Sequence, residues 1–187
     1  FGGILPVITG GLDYFNLEPG YHPWLGNIYG GLTMDLFKLI GNDNLFLWLY
    51  DKPDFIHTLM QFLLKDRVNH VKWMEKEKLL YLNTDTWNPC PGSYGFVSDL
   101  PQKGYNGKEI KLTDCWGWME SQETAAVSPQ MLDEFFLPYM AEAAKLFGLT
   151  YYGCCEAIDD RFEYIQKAIP NLRAVSVSGW NDMYKAG

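Results

Sequence analysis

Two thiols and a carboxylate stand side by side at Cys154, Cys155 and Glu156, directly after the run Tyr151-Tyr152-Gly153. Thiols in such a grouping serve as metal ligands or nucleophiles, and the competing reading is two small side chains packed at a strand end. The stretch Phe147-Gly148-Leu149-Thr150-Tyr151-Tyr152 reads as a helix stop followed by an aromatic, β-prone strand, and Ile158-Asp159-Asp160 opens a further helical pattern. The sulfurs are therefore expected at the carboxyl-terminal end of a strand, where α/β proteins place their chemistry.

Two other sets of polar residues follow strand-like stretches. Glu120 and Gln122 come just after Lys111 to Trp118, and Asp85 lies near the end of Leu79 to Trp87. Each is a candidate for catalytic or substrate contact, with solvation of a helix start as the plainer alternative. Cys115, flanked by Asp114 and Trp116 within strand character, reads as core in preference to ligand. His57 and His70 fall on a long helical pattern and read as surface or packing residues.

The elements that must position these groups are legible from period and punctuation. Phe1 to Thr9 looks like a strand, and Gly10 to Gly31 is a Gly, Pro and aromatic loop region containing His22-Pro23-Trp24. Leu32, Leu36, Leu39 and Ile40 mark a short amphipathic helix stopped by Gly41. Asp51-Lys52-Pro53-Asp54 then signals a helix start with Asp51 as the cap, and Phe55, Ile56, Leu59, Met60, Leu63, Val71 and Met74 recur at helical spacing behind it. Ser128-Pro129 opens the clearest helix, its apolar stripe running through Leu132, Phe136, Met140, Ala143 and Phe147, with Pro138 expected to bend it. Asp159 to Ile169 reads as a shorter helix, Leu172 to Ser178 as a strand, and Asn181-Asp182 as one more helix start.

From residue 79 onward the order strand, strand, helix, strand, helix, strand implies parallel strands with right-handed crossovers. A closed barrel takes eight strands and about 250 residues, and about five strands are found here, so either the barrel is truncated or the sheet is open; the favoured expectation is an incomplete portion of a (β/α)8 TIM barrel, one domain over residues 1–187.

Composition narrows the function classes. An apolar share of 48% with 20% charged residues is that of a soluble globular protein, and aromatics reach 16%. A net charge of −8 argues against nucleic acid, whose binding needs a Lys/Arg excess. No apolar run approaches the ~20 residues of a membrane helix. Four cysteines, two of them adjacent, fit a reducing compartment, so a cytoplasmic location is expected. The chain begins with Phe and is expected to be a piece of a longer polypeptide.

The segment Ser128-Pro129-Gln130-Met131-Leu132-Asp133-Glu134-Phe135-Phe136-Leu137-Pro138-Tyr139 resembles the Ser-Pro helix of the uroporphyrinogen decarboxylase superfamily. Phe1-Gly2-Gly3-Ile4-Leu5-Pro6-Val7, the helix from Asp51 and the stretch from Tyr151 to Trp180 are similar to neighbouring parts of that superfamily. The resemblance implies a TIM barrel of that type and one of two chemistries. One is cofactor-free decarboxylation of a porphyrinogen-like polyacid. The other is zinc-dependent methyl transfer between a small methylated substrate and a corrinoid protein.

In the methyltransferase branch a His-x-Cys pair at this strand end helps to hold zinc. Cys154 matches the cysteine of that pair, Tyr152 stands in place of its histidine, and Cys155 and Glu156 supply replacement donors. On this implication Cys154, Cys155 and Glu156 are the metal ligands, and Glu120, Gln122 and Asp85 make the catalytic contacts. Ser178-Gly179-Trp180 lacks the acidic residue that many members carry there, which weakens the decarboxylase branch. Trp116, Trp118 and Trp180 could wall a substrate pocket, with core packing expected for at least one. The expected function is zinc-assisted methyl transfer with a corrinoid carried by a partner protein; the alternatives are a decarboxylase and a non-catalytic binding barrel.

Overall fold

The computed structural model of the chain describes residues 28–29, 31–84, 96–182 and 184. Helix α1 spans Thr33–Asp51, and its course is broken at Gly41, whose φ of 77° lies in the left-handed region that glycine adopts at little cost. The expected stop at Gly41 is thus a kink, and Leu45 and Leu49 continue the buried stripe beyond it. Helix α2 spans Pro53–Lys76. Asp51 ends α1 and does not cap α2: Lys52 holds the cap position without a side-chain cap, while Pro53 and Asp54 occupy the first turn, where a missing N–H and a negative charge suit the helix end.

The sheet has four strands, all parallel, in the order β1 (Ile28–Tyr29), β2 (Trp116–Met119), β3 (Leu149–Tyr152) and β4 (Leu172–Val175). Met119 pairs with Tyr152 across β2 and β3, and Tyr152 with Val175 across β3 and β4, so the carboxyl ends lie in line. Ser128 caps helix α3 (Pro129–Phe135) by accepting the Met131 N–H at 3.2 Å. The helical run breaks at Phe136, and helix α4 (Leu137–Ala144) restarts with Pro138 in its first turn. Pro138 therefore sits where a helix has no use for an N–H, and what looked like one bent helix is two. Helix α5 (Phe162–Ala168) connects β3 to β4.

Alternation along the strands separates two apolar clusters. On one face Met119 and Tyr152 join the helical side chains Leu36, Leu45, Ile56, Met60, Leu132, Phe136, Met140 and Ile165 in the main core. Each large aliphatic or aromatic side chain buried there contributes roughly 1.5–3 kcal/mol. On the other face Trp116 and Tyr151 pack with Leu100, flanked by Trp118, Val97 and Ala174. Gly117 keeps the helical face thin: a Cβ there would stand 2.2 Å from the Phe147 ring.

This architecture corrects the expected (β/α)8 barrel. Among the described residues the sheet is open, four-stranded, and accompanied by five α-helices. Of the strand expected over Leu79 to Trp87, residues 79–84 are described, and they make no strand pairing among the described residues. Their contact with β2 is made by a side chain: the Asn83 amide donates to the Trp116 carbonyl at 3.0 Å and accepts the Trp116 N–H at 2.8 Å, as a neighbouring peptide would. The strand expected from Lys111 starts as a 3-10 turn at Leu112–Asp114, where Asp114 accepts the backbone N–H groups of Lys111 and Gln102. Asn181-Asp182 lies in a turn, with no helix there among the described residues. The expected strand Phe1 to Thr9, the His22-Pro23-Trp24 loop and Asp85 lie outside the described residues. Among the described residues no helix is long and apolar enough to cross a membrane.

Candidate functional site at the carboxyl ends of β2 and β3

Strand β3 ends at Tyr152, and the chain turns at Gly153, whose φ of 106° is a left-handed value. A Cβ at Gly153 would meet the Ser176 Cβ at 2.9 Å, so glycine serves here for both its torsion and its size. The turn is pinned from both neighbouring strands. The Gly153 N–H donates to the Met119 carbonyl at 2.8 Å, the Trp118 indole N–H to the Gly153 carbonyl at 3.0 Å, and the Ser176 hydroxyl to the Cys154 carbonyl at 2.7 Å.

The turn ends the in-and-out alternation that a regular strand would impose on residues 154 to 156. Cys154 is half-buried, Cys155 exposed, and their sulfurs lie 3.7 Å apart. Both thiols thus stand together at the strand end, accessible from solvent through Cys155.

Glu156 turns the other way and is buried. Its Oε1 accepts the Ser121 N–H and its Oε2 the Cys154 N–H, each at 3.0 Å. The Ser178 hydroxyl donates to the Glu156 carbonyl at 3.2 Å. Glu120, also buried, accepts the Gln122 N–H through Oε2 at 2.7 Å, while Gln122 itself is exposed. Among the described residues no three His, Cys, Asp or Glu groups converge to hold a metal ion. The structure brings the two thiols together, places the two carboxylates behind them, and commits both carboxylates to backbone amides.

Tyr152, in the position where the resemblance has a histidine, is fully buried, and its hydroxyl shares a 3.0 Å hydrogen bond with Ser121 Oγ. Burial, and then the Glu156 charge, push its phenol well above the usual value, so it stays neutral. Below this layer Arg161 is buried and donates through Nη2 to the carbonyls of Thr124 at 2.7 Å and Ala125 at 2.9 Å, and to that of Val127. Ser121, Arg161 and Ser176 were not singled out from sequence. The alternation of Ser176 and Ser178 after β4 was the available signal.

Burial, the adjacent Cys155, and the charges of Glu156 and Glu120 together raise the Cys154 thiol from its ordinary 9.0 to about 11. At neutral pH the thiol therefore keeps its proton, and a metal ion held there would have to displace it. The donor set fits zinc in part. Two sulfurs each ~2.3 Å from one tetrahedral ion lie ~3.8 Å apart, the edge of that tetrahedron, against 3.7 Å here.

Comparison with protein-family models, with curated proteins and with solved structures gives no match. The remaining candidates are placed by the coordinates alone. Cys115 is fully buried, its thiol donating to the Tyr81 carbonyl at 3.5 Å, as core packing requires. Trp116 is core, Trp118 holds the Gly153 turn, and Trp180 is 79% exposed. His57 stacks on Phe135 at 4.7 Å and hydrogen-bonds Tyr139, a packing role, and His70 lies beside Trp73.

Proposed function

We propose that the chain is a methyltransferase in which Cys154 and Cys155 hold zinc and a methyl group passes between a small methylated donor and a corrinoid carried by a partner protein. The 3.7 Å separation of the two sulfurs at the end of β3 carries this reading. The resemblance of the Ser128 to Tyr139 segment to the uroporphyrinogen decarboxylase superfamily supports it. Bound zinc would supply a Lewis acid that polarises the donor's heteroatom or activates a thiol.

The chain's own residues have separable roles in this proposal. Cys154 and Cys155 provide two of the four ligands zinc ordinarily takes. Glu156 fixes the Cys154 peptide through Oε2 and the Ser121 peptide through Oε1, so the sulfur pair keeps its register against β2. Glu120 does the same for the Gln122 turn, which faces solvent beside the site. Decarboxylation of a polyacid finds less support, because two buried carboxylates lie behind the thiols and the Arg161 Nη2 is engaged by three backbone carbonyls.

The test is transfer of a methyl group from methanol, methylamines or methylated thiols to reduced cobalamin, followed by the change in corrinoid absorbance, together with the zinc content of the purified protein. The proposal expects turnover, about one zinc per chain, and loss of both in Cys154→Ser. Protein without stoichiometric zinc, or a Cys154→Ser variant with undiminished transfer, would overturn it.

A further inference from the structure

The same pair of sulfurs has a second chemistry that needs no metal. We propose that Cys154 and Cys155 form a reversible dithiol–disulfide couple, closed by a small-molecule disulfide of the glutathione type. Three observations carry this. The sulfurs are 3.7 Å apart, so closure asks each to move by less than an ångström toward a bond of about 2.05 Å. Cys155 is exposed and open to the oxidant, with Cys154 directly behind it. The backbone on either side is held, by Glu156 Oε2 on the Cys154 N–H and by Ser178 on the Glu156 carbonyl, so the change falls on the peptide between the two cysteines, whose carbonyl carries only the rotatable Ser176 hydroxyl.

The Cys155 thiolate attacks one sulfur of the small disulfide, forms a mixed disulfide and releases the first small thiolate. The Cys154 thiolate then attacks the Cys155 sulfur, forms the intramolecular bond and releases the second. The two cysteines lose two electrons and two protons, and the oxidant becomes two thiols.

Adjacent residues hold their Cα atoms ~3.8 Å apart, below the 4.4–6.8 Å of ordinary disulfides, and a strained bond of this kind is easily reduced. The ring is therefore a switchable state and not a structural staple. Closing it removes both sulfurs from any metal, so oxidation and metal holding exclude one another.

The test exposes the reduced protein to glutathione disulfide with a chelator present, which separates the result from that of the zinc reading, and then alkylates and digests it with trypsin. Cleavage after Lys145 and Arg161 gives a peptide that contains Cys154 and Cys155 and neither of the other cysteines. The expected peptide is lighter by two hydrogens, carries no alkyl group and regains two after dithiothreitol, while Cys154→Ser stops at a glutathione adduct on Cys155. Wild-type protein that keeps both thiols alkylatable, that stops at the mixed disulfide, or that pairs either thiol with Cys90 or a second chain overturns the proposal.

Discussion

Glu156 accepts the backbone N–H of Ser121 at 3.0 Å, across 35 positions of sequence, and so ties the end of β3 to the end of β2 with a buried carboxylate. Its second oxygen holds the Cys154 N–H. Both partners are donors, and only an acceptor with two free oxygens serves them. Glu156→Gln presents an NH2 group to one of them, leaving a buried donor facing a donor. The expected loss is about 1–3 kcal/mol, read as a lowered urea midpoint, with the Cys154 and Cys155 sulfurs less well registered. An unchanged midpoint would mean that the carboxylate is not holding the turn.

Arg161 anchors the segment that follows β2 from below. Three carbonyls in the 124–127 stretch converge on its Nη2, and hydrogen bonds from a charged donor are worth roughly 1.5–3 kcal/mol each before cooperativity. Arg161→Met keeps the length of the stem and removes every donor. It should lower stability by about 3 kcal/mol or more, and Arg161→Lys should recover only part of that loss, because the shorter lysine side chain stops its nitrogen short of the Nη2 position among the carbonyls. Equal midpoints for wild type and Arg161→Met would contradict this.

Gly148 lets helix α4 hand over to β3 against the turn before β2. A Cβ there would stand 2.2 Å from the Thr113 carbonyl oxygen and 2.5 Å from Leu100 Cδ2. The first neighbour is backbone and cannot step aside cheaply. Gly148→Ala should cost about 1–3 kcal/mol, whereas Gly179→Ala, where a Cβ meets nothing within 4 Å among the described residues, should be close to neutral. A thermal melt of the two variants distinguishes them.

The pH dependence of thiol reactivity follows from the charges around Cys154. Its folded-state value of about 11 exceeds the ordinary 9.0, so the native state favours the thiol over the thiolate. That preference contributes stability below pH 9, and the contribution is lost as pH rises through about 11. In metal-free protein, alkylation of Cys154 should therefore climb until about pH 11. Cys155→Ser removes a neighbouring thiolate and its hydrogen bond and should move the midpoint down. Cys115, pushed by burial to about 12, provides the internal control and should react only on unfolding. A Cys154 midpoint unmoved by the substitution would contradict the coupling.

Local signals in the chain were readable, and long-range ones were not. Ser128-Pro129 marks a capped helix start, and the cap hydrogen bond is present. Gly148 followed by Leu149-Thr150-Tyr151-Tyr152 placed the thiols at a strand end, where β3 puts them. Barrel closure, by contrast, depends on strands pairing far apart in sequence. Residues 79–84 have the apolar character of a strand yet meet β2 through the Asn83 side chain, a substitution for a peptide that no periodicity shows. The division of labour between Cys155 and Glu156 was equally hidden, because it follows from the left-handed turn at Gly153, and a glycine advertises the freedom to turn without the direction.

Cobalt titration of the metal-free protein asks directly whether these two sulfurs bind one ion. Cobalt(II) takes zinc sites and reports thiolate ligands through a near-ultraviolet charge-transfer band. The sulfur-pair reading predicts a band that saturates at one equivalent, falls to about half its intensity in Cys155→Ser, and disappears when both Cys154 and Cys155 are replaced. A wild-type protein that develops no such band, or a band that survives the double replacement, would contradict it.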